Sequence, residues 1–447
     1  MSEVLTSVGL DVGTTSTQMV VSRLRVENTA GAFAVPQLQI TDRQVIYRGE
    51  VHFTPLLDES HVDGEKLRLL VEQEYTKAGI CRDQVDTGAV IITGETSRKE
   101  NAETVLEAIS HLAGEFVVAV AGPDLESVLA ARGSGAVDYA EKTGKTVLHM
   151  DIGGGTSNLA LIREGKIMAT GCLNVGGRLV RKDGNRRITY VSEVLAPHFS
   201  LAPGQLLTED TEEKIAAFLT ETLEMAAGLR PWENAHRDLL TREAAGKIPQ
   251  LSRVPVLSFS GGVADCIGSE FPADAFGDIG PVLGRHIRNS RLCQGEYRLG
   301  RETIRATVIG AGSHSTQLSG STVFHRNICF PMKNLPVVPV TDPDAIPQLQ
   351  DGLPVLALEG MESPSYGEIA SLAEMLAPRL PDPAVICTRQ DMAKALGQAL
   401  ALRLPGKAGI LCIDGILAEE GDYLDIGAPV GAAMPVVVKT LVMGRKE

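Results

Sequence analysis

HMDIGGGTSN, residues 149–158, sets an aspartate and three consecutive glycines directly behind an apolar segment. Upstream, TVLHM (146–150) has the β-branched and apolar character of a short buried strand, and downstream the apolar residues resume at once in LALI (159–162). Gly153, Gly154 and Gly155 therefore fall in a turn. Glycine runs are costly to order and are useful mainly where φ must be positive or where another group approaches the backbone closely. A bound phosphate is such a group. The chain then passes through Glu164-Gly165, a second turn signal, into KIMATG (166–171), which extends the reading to strand, turn, strand, turn, strand.

VGLDVGTTST (8–17) repeats the layout: apolar strand, aspartate, one residue, glycine, then small hydroxylated residues, with an apolar strand resuming as TQMVVSRL (17–24). Both copies read as hairpins. Phosphate loops of the P-loop and dinucleotide types open a helix instead, and TGKT (143–146) has Tyr139 where a P-loop needs its first glycine. Two such hairpins facing one another predict a clamp, in which backbone N–H groups of Gly13, Thr14, Thr15 and Ser16 and of Gly153, Gly154, Gly155, Thr156 and Ser157 hold phosphate oxygens. Asp11 and Asp151 would repel a phosphate unless a cation lay between, and Mg²⁺, which takes a carboxylate or two plus phosphate oxygens, is the expected metal.

The chain has 447 residues, 44% hydrophobic and 22% charged, a size that predicts two or three domains. Its formal charge of −14 opposes binding to nucleic acid or anionic lipid; the local run RLVRKDGNRR (178–187) reads as a solvated loop. No apolar run approaches the ~20 residues that span a bilayer, and the tail GAAMPVVVKTLVMGRKE reads as a buried strand rather than a membrane-surface helix. The start does not read as a signal peptide, so a cytoplasmic protein is expected. The seven cysteines form no CxxC, which disfavours zinc or iron–sulfur sites and predicts reduced, mostly buried thiols.

Along the chain, helices are expected over 66–78, 104–112 and 125–131, from Asp210 with that residue as a possible N-cap, and near 392–402; strands are expected at 89–95 and 116–122, and AVICTRQ (384–390) and AGILCIDG (408–415) read as parts of an additional α/β piece. The proline-rich run 331–354 reads as a linker. His149 and His314, the histidines nearest the glycine motifs, read as packing or polar contacts.

These motifs, in this order, resemble the actin, Hsp70 and sugar-kinase superfamily of ATPases. The Asp11 and Asp151 loops are similar to its first and second phosphate motifs, and VLSFSGGVAD (256–265) to its adenosine motif through Gly261 and Gly262. GPDLESVLAARGSG (122–135) and ATVIGAGSHS (306–315) are similar to its two connecting helices. The resemblance implies an α/β, duplicated actin-like fold with two lobes around an ATP and Mg²⁺ cleft: residues 1–147, then 148–330, then an additional α/β region over 331–447. For the group that orients the attacking water it offers Asp124 and Glu126, although either also suits a helix start.

A closer resemblance, carried by SVGLDVGTTSTQ, IITGETS, FVVAVAGPDLESV, MDIGGGTSNLAL and CLNVGGRL, is to the reactivating factors of ethanolamine ammonia-lyase. It implies a chaperone-like ATPase that exchanges damaged for intact adenosylcobalamin on that lyase, in the cytoplasm or with a bacterial microcompartment. A small-molecule kinase of the same fold and an actin-like structural ATPase are the alternatives.

Overall fold

The computed structural model describes residues 3–13, 16–29, 38–57, 61–81, 84–93, 118–120, 123–241, 255–314, 316–318, 322–341, 353–416, 418, 422–427, 429 and 434–440. The helix expected over 104–112, the side chain of His314, and Thr14 and Thr15 lie outside the described residues.

Strands β1 (Glu3–Val12), β2 (Ser16–Asn28), β3 (Leu38–Arg48), β4 (His52–Phe53), β5 (Thr87–Ile92) and β6 (Val118–Val120) form the first sheet, in the order β3-β2-β1-β5-β6 with β4 beside β2. The first three strands are antiparallel; β5 and β6 join in parallel. The second sheet contains β7 (Val147–Ile152), β8 (Ser157–Arg163), β9 (Lys166–Leu173), β12 (Val256–Ser260) and β13 (Tyr297–Leu299), in the order β9-β8-β7-β12-β13. Its pairings repeat those of the first sheet, antiparallel then parallel. The fold is thus α/β and duplicated. Glu164 and Gly165, both at positive φ, make the expected β8–β9 turn.

Period-two alternation assigns the faces. In β1, Val8, Leu10 and Val12 enter a core with Leu67, Val71 and Tyr75 of helix α1 (Gly64–Ala78). In β7, Leu148, Met150 and Ile152 enter a separate core, which also holds Ile215, Leu219 and Leu223. Asp11, His149 and Asp151 consequently lie on the opposite faces.

Those faces are covered by two helices that exchange sheets. Helix α2 (Pro123–Gly133) follows β6 yet packs on β7, β8 and β9, whereas the helix Ala306–His314 follows β13 yet packs on β1, β2 and β5. Where the two helices cross, a Cβ on Gly133 would stand 2.7 Å from the Gly310 nitrogen, and one on Gly310 would strike the Leu129 backbone. Only glycine admits this approach.

The third sheet has a parallel centre of β16 (Met332–Pro339), β17 (Val355–Leu358), β18 (Ala384–Thr388) and β19 (Ile410–Asp414), with β14 (Thr316–Leu318), β15 (Phe324–Arg326), β20 (Asp422–Ile426) and β21 (Pro435–Thr440) around it. Its strand order is β14-β21-β20-β16-β17-β18-β19-β15. The helices Tyr366–Leu376 and Ala393–Ala401 link its parallel strands. The proline-rich stretch expected to be a linker therefore contributes a strand. Val337 and Val338 enter cores on opposite faces, and a register irregularity between Met332 and Leu335 eases the ladder ahead of Pro336.

Two further expectations change. The helix Glu209–Ala226 is capped by Thr208, which is extended and accepts the Thr211 N–H at 3.2 Å, while Asp210 sits in the first turn and pairs with Lys214. The basic run contains the strand β10 (Val180–Lys182) and leads into its antiparallel partner β11 (Ile188–Val191), rather than being one solvated loop. Lys182 is buried 2.5 Å from Glu212, and Arg186 pairs with Glu212 and Asp274. Among the described residues no helix is long and apolar enough to cross a membrane, and Cys172, Cys266, Cys387 and Cys412 are buried free thiols.

Candidate functional site: paired hairpins and two carboxylates

The two glycine turns are built alike. In the first, Asp11 pairs with Gln18 and Val12 with Thr17, and the Gly13 N–H donates to Ser16 O at 2.9 Å. In the second, Asp151 pairs with Asn158 and Ile152 with Ser157, and the Gly153 N–H donates to Thr156 O at 2.9 Å. Both turns are held from behind. The Thr54 hydroxyl donates to Gly13 O, whereas Gly153 O and Gly154 O accept the N–H groups of Gly177 and Arg178 at 3.0 and 2.7 Å. With the carbonyls turned that way, the Gly154 and Gly155 N–H groups have no acceptor among the described residues. Such a turn forms an anion-binding concavity. The Ser157 hydroxyl is buried and donates to Val175 O at 2.7 Å, so it anchors the loop behind the turn rather than reaching a ligand.

Asp11 and Asp151 lie near enough for the charge of the second to act on the first. Burial pushes the Asp11 carboxyl up to about 7; the Thr93 hydroxyl, donating at 2.9 Å, lowers it, and the like charge of Asp151 raises it further. Asp151 is 8% exposed, and burial pushes it up to about 6, against hydroxyls of Ser260 and Thr307 that donate to it. Two buried carboxylates, one feeling the other's charge, favour protonation or a nearby cation.

The oxygens around them fit a hard cation. Cross-strand partners share a sheet face, so Gln18 lies beside Asp11 and Asn158 beside Asp151. Gln18 Oε1 and Asn158 Oδ1 are both buried and without a hydrogen-bond partner among the described residues. Two carboxylates and two orphaned amide oxygens make an all-oxygen donor set of the kind Mg²⁺ takes, directly or through water. Another cluster, Glu50, His52 and Glu74, already holds a cation, because Lys77 stands 3.0 Å from both carboxylates.

Asp124 and Glu126 lie two residues apart on α2 but point to different surroundings. Asp124 is exposed and accepts from Thr170 at 2.5 Å, on β9. Glu126 is buried and accepts from Asn158 Nδ2 at 2.7 Å, which ties it to the strand partner of Asp151. The geometry therefore favours Glu126 as the group nearer the carboxylate pair. Of the two glycines in the candidate adenosine motif, Gly261 has φ 84°, and a Cβ there would collide with the Ile152 backbone. Gly262, which opens the helix Gly262–Gly268, has room on its Cβ side, where Ile304 lies 3.8 Å away.

Three features of the site are not legible in the motifs alone. Gln18 and Asn158 occupy equivalent places after the two aspartates, a signal visible once the repeats are aligned. His149 is fully buried between Ser258 and Ser260, and burial pushes it down to about 3, so the ring is neutral. Because Ser260 donates to Asp151, its oxygen accepts from His149 Nε2 at 2.9 Å, leaving Nδ1 to accept from Ser258 at 3.1 Å. The third feature is Arg178, beside the second turn, for which the sequence offers only a basic run.

The model for "Ethanolamine utilisation protein EutA" matches residues 3–444. The chain belongs to the EutA family. Two relatives, each named "Ethanolamine ammonia-lyase reactivase EutA", come from Salmonella typhimurium strain LT2 and Escherichia coli strain K12. They are 36% and 35% identical to this chain over 473 and 477 residues, and in each comparison the match covers 98% of both proteins. A solved Aquifex aeolicus PPX-GPPA enzyme is 12% identical, with a TM-score of 0.43 over 69% of this chain and 99% of its own. That likeness is too distant to add to the topology described above.

Proposed function

We propose that this EutA-family chain is an ATP-dependent reactivating factor for ethanolamine ammonia-lyase, in which nucleotide turnover drives exchange of a damaged cobalamin for intact adenosylcobalamin on the lyase. The supporting observation is the pair of like-built hairpins on two sheets of the same topology, each with an aspartate at its strand end and with the two carboxylates close enough for Asp151 to raise the Asp11 pKa. On this reading the Gly154 and Gly155 N–H groups bind ATP phosphates, the Gly13 and Gly153 N–H groups close their own turns instead of reaching a ligand, and Gly261 and Gly262 border the nucleoside. Asp11 and Asp151 would hold Mg²⁺, which would offset phosphate charge as the β–γ bond breaks. Glu126 would orient the water that attacks the γ-phosphorus, releasing ADP and inorganic phosphate.

Because each lobe supplies one turn, a triphosphate favours closure only through contacts it makes in the closed state, and hydrolysis withdraws part of them. The two helices that exchange sheets carry that motion between lobes. The test is recovery of inactivated ethanolamine ammonia-lyase by the purified protein, with ATP, Mg²⁺ and free adenosylcobalamin together and with each omitted. Recovery that requires all three supports the reading; recovery without nucleotide defeats it.

A further inference from the structure

We propose that Arg178 is a nucleotide-phosphate-binding residue and that its contact with Phe53 latches the two lobes across the cleft, an inference that rests on the nucleotide reading of the paired hairpins. Its backbone is fixed to the second turn, since the Arg178 N–H donates to Gly154 O at 2.7 Å and Gly177 donates to Gly153 O at 3.0 Å. The side chain lies along that turn, and a Cβ on Gly154 would meet its Cβ and Cδ at 3.4 Å. Arg178 thus stands where a phosphate cradled by the Gly154 and Gly155 amides would lie within its reach.

The guanidinium is aimed from one side only. Nε donates to Asp278 Oδ2 at 3.2 Å, and Asp278, 5% exposed, is itself fixed by the Gly280 N–H at 2.8 Å. Among the described residues, the terminal Nη groups have no acceptor. Further along the same run Lys182 and Arg186 are committed to Glu212 and Asp274 and Arg187 to Gly204 O, whereas the Arg178 side chain lies against Gly154 of the turn. A planar fork with two open donors beside free backbone amides matches phosphate oxygens.

The other lobe meets it. Phe53 is 78% exposed, unusual for a phenylalanine, and its ring centroid lies 5.6 Å from the Arg178 guanidinium carbon. Phe53 pairs with Ser16, at the edge of the first turn. A cation beside one phosphate turn therefore rests on an aromatic ring beside the other, at a separation suited to a cation–π contact.

The experiment measures binding of Mg²⁺-ATP, Mg²⁺-ADP and adenosine by calorimetry to the full-length wild type and to Arg178→Gln, Arg178→Gln with Asp278→Asn, and Phe53→Ala. The double variant removes the carboxylate that Arg178→Gln would leave unpaired, so loss of binding is separable from loss of folding. Losing a charge-assisted pair of hydrogen bonds should weaken ATP binding about tenfold to a hundredfold in both Arg178 variants. Adenosine should stay within about twofold in every variant, because it carries no phosphate. Phe53→Ala should weaken ATP by about twofold to fivefold while leaving adenosine unchanged. ATP affinity within about twofold of wild type in the folded double variant would overturn the proposal while leaving the nucleotide reading intact. A wild type that binds none of the three ligands would overturn both.

Discussion

Asp151→Asn should make the metal-free protein less sensitive to pH and more stable at neutral and alkaline pH. Asp151 rises from an ordinary 3.8 to about 6 in the folded state. Each unit is worth about 1.4 kcal/mol, so ionising this carboxyl in its site costs the fold roughly 3 kcal/mol. Because the folded-state value lies above the unfolded one, the folded protein binds the extra proton between pH 4 and 6, and stability falls as pH rises across that window. The asparagine variant carries no such penalty. Asparagine does offer one acceptor oxygen where the carboxyl offers separate ones to Ser260 and Thr307, a loss of about 1 kcal/mol, which leaves a net gain of about 2 kcal/mol above pH 6. Removing the like charge should also bring the Asp11 titration down from about 7. The assay is the urea midpoint of variant and wild type in chelator, followed from acid to mildly alkaline pH, then repeated with Mg²⁺ and ATP. Metal and nucleotide should stabilise the wild type and do far less for the variant. Parallel pH dependences in chelator would refute the idea of a buried carboxylate pair awaiting a cation.

Gly133→Ala should destabilise the protein by about 1–3 kcal/mol or more, seen as a lower thermal midpoint, because its Cβ would press on the Ala306–His314 helix backbone; an unchanged midpoint would show that the helices can separate freely. Gly261→Ala should cost about 1–2 kcal/mol through its positive φ and the Ile152 contact, whereas Gly262→Ala, facing Ile304 at 3.8 Å, should fold nearly as wild type; equal costs in chemical denaturation would contradict this difference. His149→Ala should lose about 1–3 kcal/mol by leaving Ser258 and Ser260 short of a partner, and Asp151 should titrate differently once Ser260 is free to turn; an identical pH profile would exclude the relay.

The hairpins are legible in the sequence because their determinants are local. Apolar, β-prone runs at 146–150 and 159–162, with glycines between, specify strand, turn and strand within 17 residues, and the repeat around Asp11 doubles the signal. The strand over Met332–Pro339 is hidden for an equally local reason, since prolines mark breaks in isolation and only neighbouring strands reveal that a sheet accommodates them.

Sequence alone therefore determined the two turns, the two aspartates within them and the glycine pair at 261 and 262. Tertiary structure decided which groups act on them. The helix Ala306–His314 packs on the first sheet, yet near its start Thr307 donates to Asp151 of the second. Strand order sets β12 beside β7, which brings Ser260 to both the Asp151 carboxylate and the His149 ring. Phe53, beside the first turn, and Arg178, beside the second, come together only in the folded chain. Such pairings depend on which elements become neighbours, a choice made by burying the faces of both sheets together and one that local periodicity does not encode.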